Sequence, residues 1–247
     1  MNNLNYRNIA IIVLLIAAFS AVAQDNDKIL NRQYADMKRI HYGFSVGVNF
    51  QDLKITNNGY ISEDGQSWFA DIPNHSPGFC VNVLADLRLS THFNLRFSPG
   101  MYFGNKVVRY RNFYAPEDAL DPTIKEQRQN IKATYIVVPL DVKFSARRHH
   151  NIRPYFTGGV MGIYDLSKER PDLLRLKDFD MMLTVGMGCD FYLPFFKLCP
   201  ELKFCFGLKN LLEKNRPDLQ DNPQMEVFTK SVSKLKNSMV VLTFYFE

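Results

Sequence analysis

Between Gly78 and Phe103 apolar and polar side chains alternate, with one interruption by a tight polar turn. Phe79, Val81, Val83, Ala85, Leu87 and Leu89 take one parity, against Cys80, Asn82, Leu84, Asp86, Arg88 and Ser90. After Ser90-Thr91-His92 the pattern restarts, with Phe93, Leu95, Phe97, Pro99, Met101 and Phe103 against Asn94, Arg96, Ser98, Gly100, Tyr102 and Gly104. Successive side chains of a strand point to opposite faces, so this stretch predicts a hairpin of two long strands with one greasy side. The other side carries Asp86, Arg88 and Arg96 in mid-strand. Apolar outside and charged inside is the pattern of a transmembrane β-barrel.

The same template predicts eight strands. The first is Tyr42 to Phe50, and the hairpin supplies the second and third. The fourth is Thr134 to Phe144, with Tyr135, Asp141 and Lys143 inward. The fifth, Arg153 to Tyr164, is Gly-rich, and its faces stay unassigned. The sixth is Phe179 to Leu193, the seventh Phe196 to Leu208 and the last Ser238 to Phe246. The connections then alternate between long and short. The long ones are Gln51–Pro77, Asn105–Ala133, Asp165–Asp178 and Lys209–Asn237. The short ones centre on Thr91, on Arg147 to Asn151 and on Pro194-Phe195. Long loops at one end and short turns at the other are what membrane barrels show, and a soluble lipocalin-like barrel has no reason to sort them. Aromatic residues gather at both ends: Phe93, Phe144, Tyr192, Phe195 and Phe196 near the short turns, and Tyr102, Phe103, Tyr135, Tyr164 and Phe179 near the long loops. Two interfacial girdles would account for them. The fold expected is therefore all-β: an eight-stranded antiparallel up-and-down transmembrane β-barrel.

The N-terminus supplies an address. Asn2 to Asn8 is polar with one cation, Arg7; Ile9 to Phe19 is apolar; Ala21-Val22-Ala23 precedes Gln24. These are the three regions of a secretory signal peptide, residues 1–23, cleaved after Ala23. An apolar run of eleven residues is shorter than the ~20 a membrane helix needs. Residues 24–40 would form a short periplasmic segment and residues 41–247 the outer-membrane barrel. Composition changes little. Mean hydropathy is -0.20, as expected when only alternate residues meet lipid. The formal charge of +5 is spread out: residues 104–133 hold six Lys/Arg against four Asp/Glu. A nucleic-acid partner would need a one-sided basic patch.

On these parities the lumen receives Asp86, Arg88, Arg96, Asp141, Lys143, Asp190, Glu201 and Lys203, four of each sign. An eight-stranded barrel is just wide enough inside for its own side chains, so the polar interior is filled and its charges pair. The barrel reads as a plug rather than a pore. Of the four cysteines, Cys199 and Cys205 would lie roughly 20 Å apart on one strand, too far to bond. Pairing of Cys80 or Cys189 with one of them stays open. The histidines are His41, His75, His92, His149 and His150, and none has the spacing of a nucleophile's partner. There is no Gly-x-Ser-x-Gly, no P-loop and no His-Glu-x-x-His. The expectation is therefore no catalytic residues, no cofactor, no metal and no small-molecule substrate.

Particular stretches resemble a known family. They are His41-Tyr-Gly-Phe-Ser-Val-Gly-Val-Asn49, Phe69-Ala-Asp-Ile-Pro-Asn74, Ser76-Pro-Gly-Phe79, Asp86-Leu-Arg-Leu89 and Asn94-Leu-Arg-Phe97. Val138-Pro-Leu140, Arg153-Pro-Tyr155 and Gly186-Met-Gly-Cys-Asp-Phe-Tyr192 follow. Together they resemble the PorT family of outer-membrane barrels, from about Asn31 to the C-terminus. The resemblance implies a component of the type IX secretion system, needed to export proteins with a C-terminal sorting domain, and in some bacteria for gliding motility. It carries over no catalytic residue. Partners would be outer-membrane lipid and other secretion proteins, met through the long loops and the periplasmic face. The alternative is an independent outer-membrane barrel acting as receptor, adhesin or lipid-modifying enzyme.

Overall fold

The computed structural model describes residues 31–60, 67–73, 76–112, 125–167, 176–213, 228 and 231–247; the expected signal peptide lies outside them. A 3-10 turn at Ala35–Met37 precedes ten strands. These are β1 (Ile40–Asn57), β2 (Trp68–Asp71), β3 (Pro77–Arg88), β4 (Phe93–Phe97), β5 (Gly100–Asn112), β6 (Glu126–Ser145), β7 (Ile152–Asp165), β8 (Phe179–Tyr192), β9 (Lys197–Gly207) and β10 (Val232–Phe246). All pair antiparallel, and β1 joins β10 on one side and β3 on the other, which closes the sheet. Two staves are built from two strands each. β2 and β3 both lie along β5, and β4 and β5 both lie along β6. The ring therefore has the eight staves expected. The break between β4 and β5 falls at Ser98-Pro99, where proline has no N–H to give the ladder; its carbonyl still accepts from Val83 at 3.0 Å.

The expected faces hold. Phe44, Val46, Val48, Phe79, Val81, Val83, Phe97, Val138, Leu140, Val142, Leu183, Val185 and Leu242 are all exposed on the outer wall. Their partners in parity, among them Ser45, Asn49, Asn82, Asp86, Arg96, Asp141 and Thr243, are buried inside. The unassigned strand, β7, turns Tyr155, Thr157, Met161 and Ile163 inward. Crowding in the lumen explains one of its glycines, Gly159, and one of the glycines of the next strand. A Cβ at Gly159 would sit 2.6 Å from an Asp141 carboxylate oxygen, and one at Gly188 of β8 would sit 2.5 Å from the Tyr155 ring.

Two expectations need correction. First, several staves outrun their predicted ends. β1 continues past Phe50 to Asn57, β5 past Phe103 to Asn112, β6 starts at Glu126 rather than Thr134, and β10 starts at Val232 rather than Ser238. Much of the expected long connections is thus paired strand. The reason is an inversion of polarity. Beyond Phe50 the outward positions of β1 become Asp52, Lys54 and Thr56, while Leu53 turns inward. Beyond Val240 the outward positions of β10 become Ser238, Lys236 and Lys234, while Leu235 is buried. Outward Arg109 and Arg111 flank buried Val108 and Tyr110 on β5 in the same way. At roughly 3.3 Å per residue and ~45° tilt, the 20 residues of β6 rise about 46 Å, well beyond the ~25 Å apolar band of an outer-membrane barrel. Second, three girdle aromatics are not on the outer wall: Tyr102, Tyr135 and Tyr192 are buried in the lumen. Phe103, Tyr164 and Phe179 do face outward at the long-loop end, and Phe93, Phe144, Phe195 and Phe196 at the short-turn end.

Candidate functional site

The lower lumen, towards the short turns, is filled by one connected set of nine charged side chains. Arg96, which has no exposed surface, is at its centre. Its guanidinium donates to Asp86 through Nε and Nη2 at 3.2 Å and to Glu201 at 2.8 Å, and reaches Glu247 at 3.3 Å. The ring of Tyr245 stacks at 4.5 Å from it. Glu201 leads to Lys203 at 3.1 Å, and Lys203 to Asp141 at 2.6 Å. From Glu247 the chain runs through Lys197 to Asp190 at 3.8 Å, and on to Lys143 at 2.8 Å. Asp141 also accepts from the Thr184 hydroxyl at 2.6 Å, and Asp86 from Asn94 at 2.5 Å. A buried ion is tolerated only when its partner and remaining hydrogen bonds are in place, and here each charge has at least one of opposite sign. A cavity of about 10 Å³ beside Asp36, His41, Arg88, Asn94, Lys143 and Lys197 holds one water at most.

Seven of the eight charges expected in the lumen are there. Arg88 is not: it lies at the rim, half-exposed, and its Nε donates to the Ser90 carbonyl at 3.4 Å. The parity of its strand is right, but the strand ends there and the side chain turns to water. Lys197 and Glu247 take part instead: Lys197 shares the inward parity of Glu201 and Lys203 within the strand expected from Phe196, and Glu247 lies one step beyond the expected end at Phe246. Higher up, buried Lys106 donates to the Tyr135 hydroxyl and to Asn237 Oδ1, each at 2.8 Å.

Above Lys106 the interior changes character. Leu53, Trp68, Ala70, Val108, Tyr110, Ile131, Leu211, Leu212, Phe228, Val232 and Leu235 form one apolar core. Phe228 packs on Trp68 at 4.9 Å and edge-on to Tyr110 at 5.0 Å. The staves thus end in a solid head at the long-loop end.

The opposite mouth is covered by residues 31–39. Asn31 donates from its backbone to Asn151 Oδ1 and from its side chain to the Tyr192 carbonyl, each at 3.0 Å. Arg32 donates to the Glu247 carbonyl at 2.9 Å. Asp36 accepts from Arg148 at 3.4 Å, Arg153 at 3.3 Å and the Tyr192 hydroxyl. Arg148 lies 3.5 Å over the Tyr192 ring and also donates to the Asn31 carbonyl. The strap is pinned by the last turn of the lumen and by the hairpin between β6 and β7.

The histidines do not converge. His92 shares a hydrogen bond with the Ser145 carbonyl at 2.9 Å, and His149 and His150 touch each other in a short turn; His75 lies outside the described residues. Among the described residues no group of His, Cys, Asp and Glu could hold a metal, and all four cysteines are free thiols.

The outer membrane protein beta-barrel domain family matches residues 22–213 of this chain, which leaves most of the last hairpin beyond the matched span. No curated protein matches the sequence. Solved structures of similar fold include Neisserial surface protein A, at 10% identity and TM-score 0.40, with 84% of this chain and 98% of that one covered. OprG from Pseudomonas aeruginosa follows at 11% identity and TM-score 0.45, with 84% and 92% covered. The attachment invasion locus protein Ail of Yersinia pestis, in complex with the heparin analogue sucrose octasulfate, stands at 11% identity and TM-score 0.36, with 83% and 96% covered.

Proposed function

The chain belongs to the outer membrane protein β-barrel domain family, and from that premise we propose that it is a non-enzymatic component of the type IX secretion system, required to export sorting-domain proteins. It resides in the outer membrane, with lipid around its apolar wall. The observation that carries the reading is the filled lumen. Nine interlocked charges below and an apolar core above leave no path for a substrate through the described residues. The barrel then acts through its two ends. The PorT-like stretches, of which Phe69 to Phe103 is the fullest, supply the secretion context.

The short turns and the strap of residues 31–39 face the periplasm in this reading, and the head faces outward, as barrels of this kind are arranged. A head built on paired strands with its own core is a rigid contact surface, unlike a set of free loops. Two experiments test the proposal. Deletion of the protein strands sorting-domain proteins in the periplasm, and the wild-type chain restores export. Unimpaired export in the deletion strain would leave an independent barrel as the better account. A single Cys at Arg128 labels with an impermeant reagent on intact cells, whereas one at Asn151 labels only after the outer membrane is opened. The reverse pattern inverts the contact faces.

A further inference from the structure

Just above the lipid-facing wall, on the seam where β1 meets β10, two lysines stand directly opposite each other. Lys54 and Lys236 are cross-strand partners, both exposed on the outer face, and Lys234 is the next outward residue of β10. Like charges directly opposite on one face of a sheet destabilise it. The same fold shows how such a pair is relieved. Arg109 and Arg128 are also cross-strand partners, but Asp71 lies 3.7 Å from Arg109, and Glu126 accepts from Arg128 at 2.6 Å. That hydrogen bond holds the Glu126 carboxyl below the usual carboxylate range. No such acid serves the lysine pair: neither Lys54 nor Lys236 makes an ion pair or hydrogen bond among the described residues. The nearest carboxylate along the strand, Asp52, accepts from the backbone N–H of Leu53.

The height of the pair says what could neutralise it. Lys54 lies two outward positions past Phe50, and Lys236 two past Val240, the last apolar outward residues of their strands. Four residues are roughly 13 Å of strand, or about 9 Å along the membrane normal at ~45° tilt. The polar headgroup layer adds ~5–8 Å on each side of the hydrocarbon, and a lysine stem bends back towards it. A shallow depression lined by Phe50, Asp52, Ser238, Met239 and Val240 lies just below, with room for the top of an acyl chain. We infer that Lys54 and Lys236, with Lys234, form a binding site for the phosphate groups of a phosphorylated glycolipid of the outer leaflet. The glycolipid supplies from the membrane the anion that the described residues do not supply, so that this seam is completed in its native membrane.

The test compares the wild-type barrel with the Lys54→Gln/Lys236→Gln double variant, refolded into phosphatidylcholine vesicles with and without a bis-phosphorylated lipid A. In pure phosphatidylcholine the variant unfolds at equal or higher denaturant, because the repulsion is gone. With lipid A the order reverses: wild type gains stability and retains the glycolipid on repurification, and the variant binds it about thirtyfold more weakly. Lys132→Gln, an exposed lysine at similar height on β6, keeps wild-type binding. The inference is overturned if lipid A shifts both proteins equally or neither. It is also overturned if dephosphorylated lipid A works as well, or if inorganic phosphate in solution reproduces the whole effect.

Discussion

The same eight staves enclose two unlike interiors. Around Arg96 the lumen is held by ion pairs inside an apolar wall, and around Leu235 it is held by apolar packing inside a polar wall. The crossover falls at Phe50–Asp52 on β1 and Val240–Ser238 on β10. The difference follows from the solvent outside. In lipid the outward positions must be greasy, so the charges of these strands are confined to the lumen, where they must satisfy each other beneath a middle layer that includes Val137, Met161, Met182 and Val241. Above the headgroups the outward positions meet water, and the ordinary rule of an apolar core returns. One backbone thus obeys two patterns, and the level of inversion marks the outer membrane boundary without reference to any lipid.

The comparison predicts unlike responses to mutation. Arg96→Leu should be the most damaging, because it strands Asp86, Glu201 and Glu247 together in a dry interior. Removing one member of a buried ionic set costs about 3–5 kcal/mol, to be read as urea unfolding in detergent or bilayer. Wild-type stability would mean that water reaches the lower lumen and the plug description is wrong. Next comes the wall. Phe97→Arg puts a charge on the lipid face and should cost ~2–4 kcal/mol with reduced insertion; efficient assembly would show that this face is covered by protein.

In the head the same logic runs through packing. Leu235, with no exposed surface, is in contact with the core around Trp68 and Tyr110. Leu235→Ala should cost about 2–3 kcal/mol, and the loss should be local, seen as faster hydrogen exchange and proteolysis near Val108 and Ile131 while the spanning barrel stays folded. A single shared unfolding transition, lowered as for Arg96→Leu, would merge the two regions into one cooperative unit.

How much of this was legible beforehand follows from the same inversion. The spanning part of every stave was readable, because alternation there is strong and the outer stripe is apolar. Seven interior charges could be named from parity alone. The head could not. Where Phe50 gives way to Asp52 and Leu53, the apolar stripe jumps from the even to the odd side of the same strand, and a template that demands one stripe reads the change as a loop. Ile131 and Val108 were lost in this way. Glu247 was missed because the last strand was ended one residue short, at Phe246, and Lys197 because the inward parity of Glu201 and Lys203 was not followed back to the start of its own strand. The strap of residues 31–39 has no periodic signal: its place depends on Asp36 meeting Arg148, Arg153 and Tyr192, three residues more than a hundred positions away.

The smallest effect is expected at Arg88, and it sharpens the boundary of the charged region from below. Arg88 shares its strand and parity with Asp86, only two residues away, so a reading from sequence ranks the two alike. The structure separates them. Asp86 has no exposed surface and is bound by Arg96 and Asn94, whereas Arg88 is half-exposed and donates to the Ser90 carbonyl at the rim. A charge that keeps its water loses little when removed, so Arg88→Leu should change stability by no more than ~0.5 kcal/mol. Measured beside Arg96→Leu under identical conditions, the two losses can be compared directly. Equal losses at the two sites would extend the dry interior to the short-turn rim, and the mouth would then be sealed by the strap of residues 31–39 more tightly than its hydrogen bonds imply.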